Sequence, residues 1–307
     1  MTRWLCSAVI ASVLLTLSCT STTQEYLHAT GTPAAVELRA TPFFAQTAHH
    51  CGPAALATVL NYSGARVTPG ALAAQVFIPG RKGALRAELL ASARRQGRLA
   101  YELEPRLDAL LREVTAGRPV LVLQNLNDTS WPVWHYAVIV GFNQSQESLV
   151  LRSGLQSRLL MSMPAFDASW RAAGRWASVV LPPGELPAEV DQMRYVRAVT
   201  GLEHVQQWEA ALQAWSPAHE LWPQSLPVLI GLGNAHHALG VNNDAARALL
   251  SAVQHHPQNA DAHNNLAFVM HLLGNNTEAL RHAKRAVTLG GPNRAEYEKT
   301  LRAVISR

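Results

Sequence analysis

A single thiol and its neighbours carry the first chemical signal in this chain. Cys51 lies in Gln46-Thr47-Ala48-His49-His50-Cys51-Gly52-Pro53-Ala54-Ala55-Leu56, directly ahead of an apolar, alanine-rich run. The chain has three cysteines, and the other two, Cys6 and Cys19, fall in an apolar N-terminal stretch. Once that stretch is processed, Cys51 has no partner for a disulfide and reads as a reactive thiol. A thiol attacks as the thiolate, and free N–H groups at a helix start favour that form. Gly52-Pro53 suits such a start, because proline in the first turn loses no hydrogen bond and already has a helical φ.

Acyl chemistry at a thiolate also needs a base and donors for the developing oxyanion. The side-chain amide of Gln46 can serve as such a donor beside the Cys51 N–H. Thirteen histidines are present, so number alone selects none. His135 stands out because it opens His135-Tyr136-Ala137-Val138-Ile139-Val140-Gly141-Phe142, an otherwise apolar strand that would hold a base rigidly. His49 and His50 flank the thiol, but adjacent residues project in different directions. No second cysteine or spaced histidine pair completes a tetrahedral set, so neither a metal nor a cofactor is called for. Trp131-Pro132-Val133-Trp134, just before His135, reads equally well as a cleft wall or as ordinary loop packing.

These residues need elements to position them. Helical patterns run over Pro53–Tyr62, Pro69–Val76, Ala84–Gln96 and Arg106–Thr115. Apolar, β-branched runs follow at Pro119–Leu123, His135–Phe142, Ser148–Leu151, Arg158–Met163 and Trp176–Leu181, with a short helix over Pro164–Ala173. Helices first and an antiparallel sheet afterwards is an α+β arrangement. Three prolines within Pro182–Pro187 then mark a break, and the pattern beyond is helical.

The second half repeats. Leu232-Gly233, Gly240, Ala245, Ala252 and Pro257 recur 34 residues later as Leu266-Ala267, Gly274, Ala279, Ala286 and Gly291. A weaker copy lies 34 residues earlier, with Gln206 where the turn glycine should be. Small residues at these offsets are what tetratricopeptide helix pairs need for close approach. The units fall at about 192–225, 226–259 and 260–293, and Arg294–Ile305 would cap the solenoid.

At the N-terminus, Arg3 precedes an apolar run from Trp4 to Leu17, a secretory pattern shorter than a membrane span. Leu14-Leu15-Thr16-Leu17-Ser18-Cys19 resembles a bacterial lipoprotein signal, with Thr16 and Leu17 departing from the usual residues. The resemblance implies cleavage after residue 18, lipidation of Cys19, a tether over 20–40 and an outer-membrane address on the periplasmic side. The hydrophobic content of 48% describes a globular protein. The formal charge of +5 is scattered rather than gathered into a stripe, which argues against nucleic acid.

Thr41-Pro42-Phe43-Phe44-Ala45-Gln46, Cys51-Gly52-Pro53-Ala54-Ala55-Leu56 and the His135–Phe142 strand together resemble the bacteriocin-processing peptidases, family 39 of the cysteine peptidases. The resemblance covers about residues 40–182. It implies a papain-like fold over 41–183, joined by a linker at 184–191 to the all-α tetratricopeptide solenoid. It also implies Cys51 as nucleophile, His135 as general base and Gln46 as oxyanion donor. Members usually carry an aspartate at the end of the next strand to orient the imidazole. Here that place reads Val150-Leu151-Arg152-Ser153-Gly154, so Ser153 is the expected acceptor, with Asn143 as an alternative. The reading that follows is an exported, lipid-anchored cysteine peptidase whose repeats hold a protein substrate or partner. A peptidase-like binding protein without turnover is the alternative. A related cell-wall amidase fits less well, because such enzymes usually follow the cysteine with Ser-Gly.

Overall fold

The computed structural model describes residues 33–46, 50–78, 80, 83–127 and 130–306. The signal segment with Cys19, and the tether up to residue 32, lie outside these. The residues from Pro33 onward form one compact unit.

Helix α1 (Cys51–Tyr62) is the central support of the N-terminal half. Leu56, Val59 and Leu60 on it are fully buried. They join Leu121, Leu123, Tyr136, Val138 and Val140 of the sheet in one core. Truncating any one of these large side chains would cost about 2–5 kcal/mol. Helix α2 (Pro69–Val76) follows, capped by Thr68, whose hydroxyl accepts from Ala71 N at 3.2 Å. A small hairpin of β2 (Phe77–Ile78) and β3 (Gly83–Ala84) leads into α3 (Arg86–Arg95). Ala84, read from sequence as the start of that helix, belongs instead to the hairpin.

The remaining elements of this half are β4 (Leu99–Glu102), α4 (Leu107–Thr115), β5 (Val120–Asn125), β6 (Trp134–Asn143), β7 (Ser148–Ser153), β8 (Gln156–Ser162), α5 (Met163–Ala172) and β9 (Ala177–Leu181). The sheet runs β4-β9-β5-β6-β7-β8 with every neighbouring pair antiparallel. Every expected strand is present. Two more strands of this sheet were not expected. One is β4, hidden by its shortness after Gly97. The other is β1 (Ala35–Glu37), which pairs with the far half of β6.

Strand β1 corrects the tether, since residues 35–37 are part of the sheet. The physical reason is Gly141. The β6–β7 register shifts between Ile139 and Gly141, and β1 docks at that irregularity. A Cβ on Gly141 would lie 2.5 Å from the Val36 carbonyl oxygen, so only glycine lets the two backbones meet.

Beyond the sheet the chain is helical: α6 (Gln192–His204), α7 (Trp208–Leu221), α8 (Leu226–Ala238), α9 (Asn242–His255), α10 (Ala260–Leu272), α11 (Asn276–Leu289) and α12 (Arg294–Ile305). Equivalent helices begin at 34-residue intervals, as in 192, 226 and 260. Ala211, Ala245 and Ala279 are fully buried at matching offsets, as are Ala218, Ala252 and Ala286. Gln206 adopts the positive φ of 59° that Gly240 and Gly274 take in their turns, at 78° and 77°. The first unit keeps its turn despite lacking the glycine.

The segment read as a linker is held down rather than free. Ala188 N donates to Glu113 at 2.7 Å, Tyr101 OH donates to the Glu189 carbonyl, and Glu189 pairs with Arg106 at 3.1 Å. Extended peptide with polar neighbours has to satisfy its backbone somewhere, and here the sheet domain supplies the partners.

Candidate active site

Cys51 is the first residue of α1, half-buried against the core. The first turn has no acidic residue, and His50 at the cap offers no side-chain hydrogen bond to it. The helix start therefore presents its N–H groups and positive dipole end without a competing carboxylate. Gly52 lets this start descend onto the sheet: a Cβ there would lie 2.8 Å from the Ala84 methyl and 3.5 Å from Tyr136. The His50 ring turns away to meet Phe77 edge-on, centroids 5.1 Å apart.

His135 stands at the mouth of β6, one residue before Tyr136. Burial holds its pKa below the ordinary imidazole value. Its Nε2 lies 2.8 Å from the hydroxyl of the buried Ser153. The register explains the meeting. Val138 pairs with Arg152, so Ala137 falls opposite Ser153, and His135 shares their face one diagonal step away.

Ser153 also begins the turn into β8, pairing with Gln156, with Gly154 at a φ of 60°. The carbonyl of Gly154 accepts from Gln46 N at 3.2 Å. The Gln46 side-chain amide in turn donates to the Tyr136 carbonyl at 3.4 Å. One hairpin thus anchors the orienting hydroxyl and the glutamine together, and Tyr136 links both to Gly52. Gly154 had no recognisable sequence signal, because its role is a backbone bond to a residue more than a hundred positions away.

No hydrogen bond joins the Cys51 thiol to His135 among the described residues. The ring's other nitrogen, Nδ1, is the one left for that contact. Asn143, the alternative acceptor, is excluded: it ends the same strand eight residues away, where its side chain accepts from Ser145 and Gln146. Gln124, paired with His135 across β5 and β6, was not singled out by sequence. Its amide is committed to Ser169 at 2.8 Å. The 131–134 segment, whose last residue opens β6, is not buried packing, since Trp131 and Trp134 are 78% and 54% exposed. Asn125 Oδ1 ties the loop's end by accepting from Val133 N at 2.9 Å.

Residues 39–178 match the model of the Peptidase_C39 like family. The sheet domain is C39-like. Residues 233–274 match the TPR repeat model. No curated protein matches the chain. Among solved structures, a C39-like peptidase from Bacillus anthracis is 20% identical and covers 48% of this chain and 98% of its own, with a TM-score of 0.42. The repeat half is similar to PcrH in complex with the chaperone binding region of PopD, at 17% identity, 38% and 91% coverage and a TM-score of 0.35. It is also similar to the type III secretion translocator chaperone SycD of Yersinia enterocolitica, at 15%, 38% and 88%, TM-score 0.36.

Within the C39-like domain the arrangement can support acyl transfer. With Nε2–H donating to Ser153, Nδ1 is the lone-pair nitrogen available to take a thiol proton. Gln46, whose present bond at 3.4 Å is long, can give its amide to an incoming oxyanion.

Proposed function

We propose that this protein is a cysteine peptidase that cleaves peptide bonds in a protein or peptide substrate held with the help of the repeats. The observation that carries this reading is the 2.8 Å bond between His135 and Ser153, which holds the ring in place and leaves Nδ1 for the thiol. Thiolate attack from Cys51 forms the new C–S bond, and the proton passes to His135 Nδ1. The tetrahedral oxyanion is met by the Cys51 N–H and Gln46. His135 then returns the proton to the leaving amine, and water hydrolyses the thioester by the reverse assistance. Catalytic hydrogen bonds are commonly loose in the free enzyme and tighten with substrate, which suits the open thiol–imidazole contact. The lipid anchor at Cys19 and the outer-membrane, periplasmic address belong to the same proposal and rest on the signal-like sequence.

Comparing cell-envelope proteins from cells carrying the natural chain with those carrying Cys51→Ala tests this reading. Substrate fragments should vanish in the variant, and unchanged fragments would end the proposal. A second reading, a binding protein without turnover, is favoured by the neutral Ser153 and the unjoined thiol. Iodoacetamide labelling across pH separates the two, since an unactivated thiol would titrate near about 8.5.

A further inference from the structure

A cavity of about 530 Å³ opens where α6 of the repeats meets α3, β4 and the start of β9. Arg86, Arg94, Arg175, Arg194 and Arg197 line it, against the single carboxylate of Glu102. Two of these arginines are neutralised, Arg175 by Asp167 at 3.1 Å and Arg194 by Glu104 at 2.6 Å. Glu102 is engaged as well, accepting from Trp176 Nε1 at 2.5 Å. Among the described residues no carboxylate is within ion-pair distance of Arg86, Arg94 or Arg197.

Arg94 is the telling member. Its Nε is closed off from solvent and has no hydrogen-bond partner, as is true of the Nε of Arg175, which also lines the cavity. Its guanidinium packs on Gly201, where a Cβ would lie 2.4 Å from Nε. Burial lowers its pKa, with Glu102 opposing only through longer-range attraction. Arg94 is half-buried, so a guanidinium partly withdrawn from water and left without an ion pair costs free energy, and like charges gathered beside it add repulsion. An anion would remove both costs.

We propose that this cavity binds a compact ligand with at least two oxyanion groups, a phosphate ester or a polycarboxylate, and that the anion ties the repeats to the C39-like domain. Planar guanidinium forks match both groups bidentately. The volume falls within the range of small-molecule pockets, roughly 300–1,000 Å³. Three unpaired cations call for more than one negative charge. Trp176 on the cavity wall stands edge-on to Tyr136, ring centroids 6.0 Å apart, and Tyr136 supports Gly52 beside the thiol. The ligand would therefore sit one aromatic pair from the nucleophile's helix.

Calorimetric titration of the full chain with pyrophosphate and with citrate, at low and matched ionic strength, tests this site. Saturable binding of either is expected, weakening with added salt. Arg94→Gln and Arg197→Gln should each raise Kd roughly ten- to hundredfold. Arg197 is exposed, so its variant should fold even where Arg94→Gln does not. Arg302→Gln, an equal charge loss on α12 away from the cavity, should leave Kd unchanged. Tighter pyrophosphate binding identifies a phosphate ester, and tighter citrate binding a polycarboxylate. No saturable binding of either anion, or an equal loss in Arg302→Gln, would overturn the proposal.

Discussion

His135 and Ser153 meet across neighbouring strands, ring nitrogen to hydroxyl at 2.8 Å, at the place where the family that the chain resembles usually has an aspartate. A hydroxyl can hold an imidazole in place as a carboxylate does, but because it donates as well as accepts it does not select the tautomer. It brings no charge to stabilise the imidazolium formed during reaction. The site is thus oriented by geometry more than by electrostatics, and that distinction can be measured.

Replacing Ser153 with alanine should lower kcat about ten- to hundredfold with little change in KM. Ser153→Asp should recover or exceed the natural rate by adding the missing charge. Steady-state kinetics on a cleaved peptide decide it, and an unaffected Ser153→Ala enzyme would deny Ser153 its positioning role.

Gln46→Ala should reduce kcat by about 10²–10³, the usual cost of losing one oxyanion donor. The measured thiol alkylation rate should stay near that of the natural chain, because Gln46 acts on the oxyanion and not on the thiolate. A parallel collapse of both would point to loss of structure instead.

Because burial disfavours the charged ring, His135 keeps its basic form below pH 6.5, the ordinary imidazole value. The acid limb of kcat/KM should accordingly have its midpoint under 6.5. A limb centred above 7 would contradict the environment described for His135.

Stability should also fall in acid through a second pair, His263 on α10 and His282 on α11. His263 Nε2 donates to the Pro257 carbonyl, so its Nδ1 accepts from His282 Nδ1 at 2.8 Å. His282 Nε2 then accepts from Arg281, with Glu278 nearby and Arg285 acting on His263. Both rings are buried and neutral, and burial, then Arg281 and His263, push the His282 pKa down to about 4. Unfolding lets it bind a proton, so the contribution is whole above about 6.5 and drains away as pH falls towards about 4. Melting temperatures over that range should decline for the natural chain and decline less for His282→Asn.

Gln206 pays a conformational cost at its φ of 59°. Gln206→Gly should raise stability by about 0.5–1 kcal/mol, the left-handed cost less glycine's extra unfolded entropy. Denaturant unfolding at constant m-value checks this; a destabilised variant would show that the Gln206 side chain outweighs its backbone strain.

Local pattern was enough to read Cys51 at a helix start, His135 at a strand mouth and the 34-residue helix pairs. Each of these is written in spacing over a few turns or pleats, which short-range sterics and burial impose directly. Tertiary structure alone decided what long-range pairing controls. Register chose Ser153 over Asn143, since both end strands but only one lies diagonal to His135. Gly141 admitted β1 to the sheet, and the docking of α6 gathered arginines from distant elements into one cavity. Those outcomes depend on which backbones come together, and no local periodicity encodes that.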